Sequence, residues 1–194
     1  MFHIRDRCKG KMEIKFSGFG GQGIIRMGLV LGRAASIFDN KHATLTQSFG
    51  PEARGGACSA QLIVSEQRIL YPYLTQPDIL VTMSQEAYDK FEHNLKEDGI
   101  LLIEKDLVRP HPPRKKIRQY TVLATRIGEE MGNRIFANMV MLGFMDAVTK
   151  IVPQEALRKA LPGMVPDRFI KTNLVAMEKG YELGLEKLSH SPQT

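Results

Sequence analysis

The sequence predicts an α/β protein with a doubly wound, mainly parallel sheet, a hairpin insertion and a helical C-terminal third. Three observations support this prediction. Strand-like apolar runs alternate with helical patterns in the first part of the chain, two neighbouring strand-like runs are separated only by a polar break, and the chain after "IRQYTVLA" has helical periodicity.

The strands follow from two kinds of pattern. "KMEIKFSG" alternates apolar and charged residues, whereas the nearly continuous apolar run "DILVTMS" is typical of a parallel strand covered on both faces. The polar residues 65–67 separate "ACSAQLIVSE" from "RILYPYL", so these two runs are predicted to form the hairpin. The other predicted strands are "HATLTQS", "ILLIEK" and "IRQYTVLA".

The helices follow from apolar spacing and capping residues. The first two predicted helices are "IIRMGLVLGRAASIF" and "QEAYDKFEHNL". Asn133 is the predicted N-cap of a third helix, Pro153 begins a short fourth helix, and the last helix begins after Pro166. The predicted apolar face of the last helix consists of Ile170, Leu174, Met177, Tyr181 and Leu185.

Asn138 lies on the helical side of Ile135 and Leu142 and is therefore expected to be buried and hydrogen-bonded. We interpret it as a core amide that closes a loop. A ligand contact is the lesser alternative.

Length and composition predict one domain. The 194 residues suit a single well-filled core, which we place at 12–188, with 1–11 as an N-terminal extension and 189–194 as a tail. The sequence contains no apolar run of bilayer length and no apolar signal at its start, which favours a cytoplasmic protein without membrane contact. The net charge of +6 would suit an acidic or anionic partner, but no nucleic-acid motif accompanies it, so no nucleic-acid partner is predicted.

Much of that charge lies in "KDLVRPHPPRKKIR". This segment contains one acidic residue, Asp106, and six basic residues. The basic residues are Lys105, Arg109, Arg114, Lys115, Lys116 and Arg118. A solvated hairpin loop is the simpler interpretation of such a proline-interrupted stretch. The alternative is a surface for phosphates or for an acidic protein.

The residue types for redox or metal chemistry are sparse. Cys8 and Cys58 are the two cysteines, far apart, and they cannot ligate a four-cysteine iron–sulfur cluster. No histidine has a nucleophile beside it, so we predict no catalytic residue and no metal ligand.

The segment "FSGFGGQG" contains Gly18, Gly20 and Gly23 in the spacing G-x-G-x-x-G between a predicted strand and a predicted helix. Such a turn places free backbone amides at a helix N-terminus, where an anion is favoured. A tightly packed turn is an equal alternative. An NAD site also needs an acid at the end of the second strand, yet Gln47 and Ser48 occupy that place, and Asp39 lies at the wrong end.

A second loop, "SFGPEARGGACS", follows the second strand. Its glycines and proline restrain a loop that carries Glu52 and Arg54, and it should lie beside the glycine loop. The Arg54 guanidinium offers paired donors for a carboxylate or phosphate, and Glu52 could orient it. A surface turn with an incidental ion pair is an equal alternative.

Together, "FSGFGGQG", "TLTQSFGPEARGG", "PDILVTMSQEAYDKF" and "GNRIFANMVMLG" closely resemble the gamma subunit of 2-oxoacid:ferredoxin oxidoreductases, from about residue 12 to about residue 184. The same unit is similar to the gamma domain of single-chain pyruvate:ferredoxin oxidoreductases. The order and spacing of four motifs make this resemblance far more specific than the glycines alone.

The resemblance implies a subunit of an enzyme that converts a 2-oxoacid and coenzyme A to acyl-CoA and carbon dioxide, and passes two electrons to ferredoxin. It implies alpha, beta and delta partner subunits, with thiamine diphosphate and iron–sulfur clusters held by those chains and none held by this one alone. A separate gamma chain suggests 2-oxoglutarate as the oxoacid.

The predicted cofactor-binding or subunit-facing residues lie on the two loops. We expect them to face the alpha subunit and to shape the entrance used by coenzyme A. They are Gly18, Gly20, Gly21, Gln22, Gly23, Ser48, Glu52, Arg54, Gly55 and Gly56. The rival hypothesis is a free-standing regulator that binds NAD or another nucleotide at the glycine loop.

Overall fold

A computed structural model describes residues 10–48, 57–112 and 116–190 of the chain. Within these ranges, six strands form one sheet and helices cover both of its faces. The strands are β1 (Lys11–Phe19), β2 (His42–Ser48), β3 (Ala57–Ser65), β4 (Ile79–Thr82), β5 (Ile100–Glu104) and β6 (Arg118–Val122). The α-helices are α1 (Ile24–Phe38), α2 (Gln85–Phe91), α3 (Ala124–Glu130), α4 (Ala137–Thr149), α5 (Gln154–Ala160) and α6 (Ile170–His190).

The strand order is β2-β3-β1-β4-β5-β6. The strands β1, β4, β5 and β6 run parallel, whereas β3 is antiparallel to both of its neighbours, β1 and β2. The predicted fold class is confirmed, since most of the sheet is parallel and the chain after β6 is helical.

The position of the hairpin differs from the prediction. Residues 68–74, "RILYPYL", form no strand, and β3 pairs instead with the preceding strand β2. Because β3 is hydrogen-bonded to β2 on one edge and to β1 on the other, it has no free edge for a further strand. The predicted hairpin between the third and fourth runs is therefore wrong.

The central strand β1 is buried on both faces from Met12 to Gly18. Its apolar residues face α1 and α4, while Lys15 lies on the opposite face, with its Nζ 4.2 Å from the ring centroid of Phe91 in α2. Burial, and secondarily the nearby Lys90, lower the pKa of Lys15. The period-two alternation of β1 thus places its apolar side chains on one face and Lys15 on the other, and helices cover both faces.

Helices on each face complete the two cores. The larger core lies between the sheet and α1, α4, α5 and α6; on the other face, Tyr88 of α2 packs with Leu80 and Leu101. No helix within the described ranges is both long enough and apolar enough to cross a membrane.

The helices α4 and α6 pack backbone against backbone. A Cβ added at Gly143 would overlap the carbonyl oxygen of Met177, and one added at Gly180 would overlap that of Val140. This close approach determines which face of α6 is buried. The buried residues of α6 are Asn173, Ala176, Met177, Gly180 and Gly184.

The predicted apolar face of α6 is therefore wrong in part. Met177 is buried as predicted, but Leu185 is 43% exposed. Large apolar side chains cannot lie between two helices whose backbones touch, so the small residues form the contact.

We predict that Gly180→Ala lowers the free energy of unfolding by about 2–3 kcal/mol, because overlap with the Val140 backbone outweighs the gain in helix propensity. Urea unfolding followed by circular dichroism measures this. Lys179→Ala, at the exposed neighbouring position, is the matched control and should change stability by less than about 0.5 kcal/mol. Equal effects at the two positions would contradict the packing described.

Glu104, at the end of β5, joins the sheet to α3. Its Oε1 accepts a hydrogen bond from the Asp106 amide (3.0 Å) and its Oε2 accepts one from the Thr125 amide (3.1 Å). The side chain is fully buried, and this burial raises its pKa above the ordinary value of 4.5 although the amides act in the opposite direction.

We predict that the contribution of Glu104 to stability falls as the pH rises from about 4.5 towards its raised pKa, because the native state binds its proton more tightly than the unfolded chain does. Because Gln does not titrate, the unfolding free energy of wild type minus that of Glu104→Gln should therefore decrease with rising pH in that window. Urea titrations at several pH values measure it, and a value that stays constant or increases with pH would contradict the prediction.

Candidate functional site

The glycine loop joins β1 to α1, as predicted. Gly23 is the N-cap of α1, with φ 74°, and Gly21 has φ 90°. Gln22 holds the turn closed: its Oε1 accepts from the Phe19 amide (2.6 Å), and its Nε2 donates to the Met83 carbonyl (2.8 Å). The Gln22 side chain therefore links the loop to the segment that follows β4.

The four glycines of the loop serve different purposes. Gly18 is required by packing, because an added Cβ would lie 2.7 Å from Ile24 Cδ1. Gly23 is required both by its positive φ and by contact with Asn138. Gly20 and Gly21 are exposed, and an added Cβ at either would meet no atom within 4 Å among the described residues. Only these two leave bare backbone facing outwards.

Asn138, at the start of α4, lies directly against the glycine loop. It is 3% exposed, and its Nδ2 occupies the space that a side chain at position 23 would need. The predicted burial is correct. The predicted hydrogen bonding is not found at Oδ1, which has no hydrogen-bond partner within the described part of the chain. Ile135, predicted on the same buried side, is 53% exposed.

The N-terminus of α1 is open to an anion. The Gly23 cap makes no side-chain hydrogen bond, and no acidic residue lies in the first turn. The first-turn amides of a helix have no intrahelical acceptors, and the helix dipole adds positive potential there. Exposed Arg26 adds a formal charge. The loop therefore presents donors and positive charge next to bare backbone.

The residues that flank the second predicted loop lie at the same end of the sheet as the glycine loop. Ser48 is the exposed last residue of β2 and is opposite Ser59, while Ala57 begins β3 opposite Phe19. Both ends of the segment 49–56 thus lie at the carboxyl end of β1. Four predicted site residues lie outside the described residues, namely Glu52, Arg54, Gly55 and Gly56.

The sheet order differs from that of a dinucleotide-binding fold. In such a fold the second strand lies parallel and adjacent to β1, and its end carries the acid that binds the ribose. Here the antiparallel strand β3 separates β2 from β1. The residue after β1 and the residue at the end of β2 are therefore two strands apart, which disfavours the NAD hypothesis.

The basic segment is a crossover between parallel strands and not a hairpin, because β5 and β6 run in the same direction. Arg126 of α3 forms an ion pair with Asp106 (3.1 Å), and exposed Lys116 lies 3.7 Å from Glu97. Arg114 and Lys115 lie outside the described residues. Both interpretations of the basic segment, as a solvated segment and as a binding surface, stay predictions.

Cys58 is buried in β3, and burial raises the pKa of its thiol. A thiol of this kind stays protonated near neutral pH and is a poor metal ligand or nucleophile.

The sequence analysis did not predict an exposed aromatic surface that the structure contains. We call Leu70, Tyr71 and Tyr73 the aromatic loop; they are 87%, 66% and 57% exposed. Their alternation with Ile69, Pro72 and Leu74 imitates a strand, which explains the wrong prediction. The signal that could have found them is Pro72 in the middle of the run, since proline is disfavoured in a paired strand.

The sequence matches the family model for pyruvate ferredoxin/flavodoxin oxidoreductase over residues 13–183. The chain belongs to this family. The 2-oxoglutarate synthase subunit KorC of Methanocaldococcus jannaschii is 47% identical over 182 residues, which cover 93% of this chain and 97% of that protein.

A solved structure and a longer relative are also similar to this chain. The gamma subunit of a keto/oxoacid ferredoxin oxidoreductase from Geobacter sulfurreducens is similar with a TM-score of 0.83 and 40% identity, covering 91% of this chain and 98% of that one. The ketoisovalerate oxidoreductase subunit VorA of Methanothermobacter marburgensis is 32% identical over 183 residues, covering 92% of this chain but only 37% of VorA. The same unit therefore occurs both as a separate chain and as part of a longer one.

We predict that Gly23→Ala lowers the free energy of unfolding by about 2–4 kcal/mol, because a methyl group there meets the Asn138 amide and the φ value is unfavourable. Gly20→Ala is the matched control and should change stability by less than about 1 kcal/mol, since its methyl group meets no atom of the described residues. Thermal and urea unfolding measure both. Equal losses would show that Gly20 is also held by packing.

Proposed function

We propose that this chain is the gamma subunit of a 2-oxoglutarate:ferredoxin oxidoreductase, an enzyme that forms succinyl-CoA and carbon dioxide from 2-oxoglutarate and coenzyme A. The observation that carries the proposal is the 47% identity to KorC across nearly the whole of both chains. Within such an enzyme we assign this chain to assembly and to substrate access.

The geometry of the glycine loop supports a role of this chain in the access of coenzyme A to the enzyme. Its donors are fixed before any ligand arrives, because Gln22 closes the turn and Asn138 packs behind Gly23. An anionic group approaching Gly20 and Gly21 would meet first-turn amides and Arg26 without displacing a side chain of the described residues. The phosphates of coenzyme A have this chemistry, and we propose that the loop lines their route together with Glu52 and Arg54.

The residues of this chain do not suit the redox cofactors of such an enzyme. An iron–sulfur cluster needs several thiolates, whereas the chain has two cysteines and Cys58 is buried with a raised pKa. The described residues also contain no group of three metal-ligating side chains. We propose that the companion alpha, beta and delta chains hold thiamine diphosphate and the clusters, and that ferredoxin docks through them.

We further propose a cytoplasmic complex in which residues 12–188 of this chain form one domain. The strand β1 begins at Lys11 and α6 continues to His190, one and two residues beyond these bounds. No nucleic-acid or membrane contact is included in this assignment.

The experiment is to co-express this chain with the companion chains from the same genome and to purify the complex through a tag on a companion. With ferredoxin as the acceptor, the complex should form succinyl-CoA from 2-oxoglutarate in preference to other 2-oxoacids, and its activity should require this chain. Activity of the companions without it, or of this chain alone, would contradict the proposal.

We predict that Gly20→Asp in the intact complex raises the KM for coenzyme A by about 3- to 10-fold, because a carboxylate beside the α1 N-terminus repels the phosphates. Arg54→Ala should raise the same KM or weaken assembly. Ser189→Asp introduces the same charge at an exposed position at the end of α6 and should leave the KM unchanged. An unchanged KM and unchanged assembly in both variants would remove the loops from the access route.

A further inference from the structure

The aromatic loop lies at the opposite end of the sheet from the glycine loop. The Glu66 amide donates to the Gly10 carbonyl (2.8 Å), and the Asp78 amide donates to the Glu13 carbonyl (2.7 Å). Residues 67–77 therefore run from the amino end of β1 to the amino end of β4. The glycine loop leaves the carboxyl end of β1. The proposed access route and the aromatic loop are thus separate surfaces.

The aromatic side chains are exposed and contact one another. The rings of Tyr71 and Tyr73 form an edge-to-face pair with centroids 5.6 Å apart. Pro72 between them restricts the backbone, and it is half-buried together with Ile69 and Leu74. A group of tyrosines held in this way has a low entropy cost of binding and is typical of an interface centre.

The two ends of the described chain lie at the same end of the sheet as this loop. Gly10 is hydrogen-bonded to Glu66, so Tyr71 is within about 18 Å of it by chain length. The helix α4 starts beside Gly23 and ends near Ile151, whose carbonyl accepts from Lys41 (2.8 Å) just before β2.

The helix α6 runs alongside α4 in the same direction. Phe169 packs on Phe136 near the start of both helices, and Gly184 lies against Ala147 near the end of α4. The carboxyl end of α6 therefore also points towards the amino end of the sheet, so polypeptide that extends either end of this unit leaves at the same end of the sheet as the aromatic loop.

This geometry bears on the longer relative. In VorA the similar region is 37% of the protein, so the remaining chain is attached at one or both of these ends. We propose that the aromatic loop is a docking surface for a companion chain that corresponds to the rest of VorA. The partner chemistry is an apolar pocket that accepts Leu70 and the two tyrosine rings, with polar groups at its rim for the hydroxyls. The inference rests on the proposed function, since it requires the companion.

The test is the affinity of the intact chain for the purified companion, measured by biolayer interferometry and by co-purification. Leu70→Ser, Tyr71→Ser and Tyr73→Ser combined should weaken binding by about 100-fold or more. Val175→Ser with Leu185→Ser, at positions on α6 that are 41% and 43% exposed, is the matched control and should bind like wild type. The single variant Tyr71→Ser, with unchanged thermal unfolding, should weaken binding by about 10-fold.

The outcomes separate the two proposals. Equal binding by wild type and by the aromatic variants would overturn this inference and leave the proposed function intact. No binding by the wild type would overturn both. Light scattering measures the oligomeric state of the isolated chain. If the wild type is a dimer that the aromatic variants convert to a monomer, a second copy of the chain occupies this surface and the inference is overturned.

Discussion

The structure depends on β1 being hydrogen-bonded along both edges, to antiparallel β3 over nine residues and to parallel β4 over four. Because helices also cover both of its faces, β1 has no solvent-facing side between Met12 and Gly18. Its two ends are the points where it reaches the surface. One end leads into the glycine loop, and the other meets Glu66 and the start of the aromatic loop.

This arrangement gives the unit two exposed ends of different chemistry. At the carboxyl end, bare glycines, an uncapped helix and Arg26 favour an anion. At the amino end, the aromatic loop exposes apolar and aromatic side chains, which are typical of protein interfaces. The insertion of β3 between β1 and β2 explains why a G-x-G-x-x-G spacing occurs here without the geometry of a dinucleotide fold.

Much of the fold could be predicted because local patterns report local structure. The strand–glycine–helix order of residues 11–38 and the helical C-terminal third were recognisable. Asn133 is an N-cap, although of the 3-10 turn Arg134–Phe136 that precedes α4 and not of α4 itself. The partner of β3 was not, because pairing depends on which edges are already occupied. The buried face of α6 was missed for a similar reason, since glycines that permit a close helix approach carry no apolar signal of their own.

The sequence by itself determined the α/β class, the position of the glycine loop and the family resemblance, because these depend on residue type and spacing along the chain. The tertiary structure alone decided what each glycine does. Gly18 and Gly23 accommodate Ile24 and Asn138, whereas a Cβ added at Gly20 would meet no atom within 4 Å among the described residues. It also decided that Leu70, Tyr71 and Tyr73 are a surface and not a strand. The physical reason is that exposure and close contact depend on neighbours distant in the chain, which no local pattern specifies.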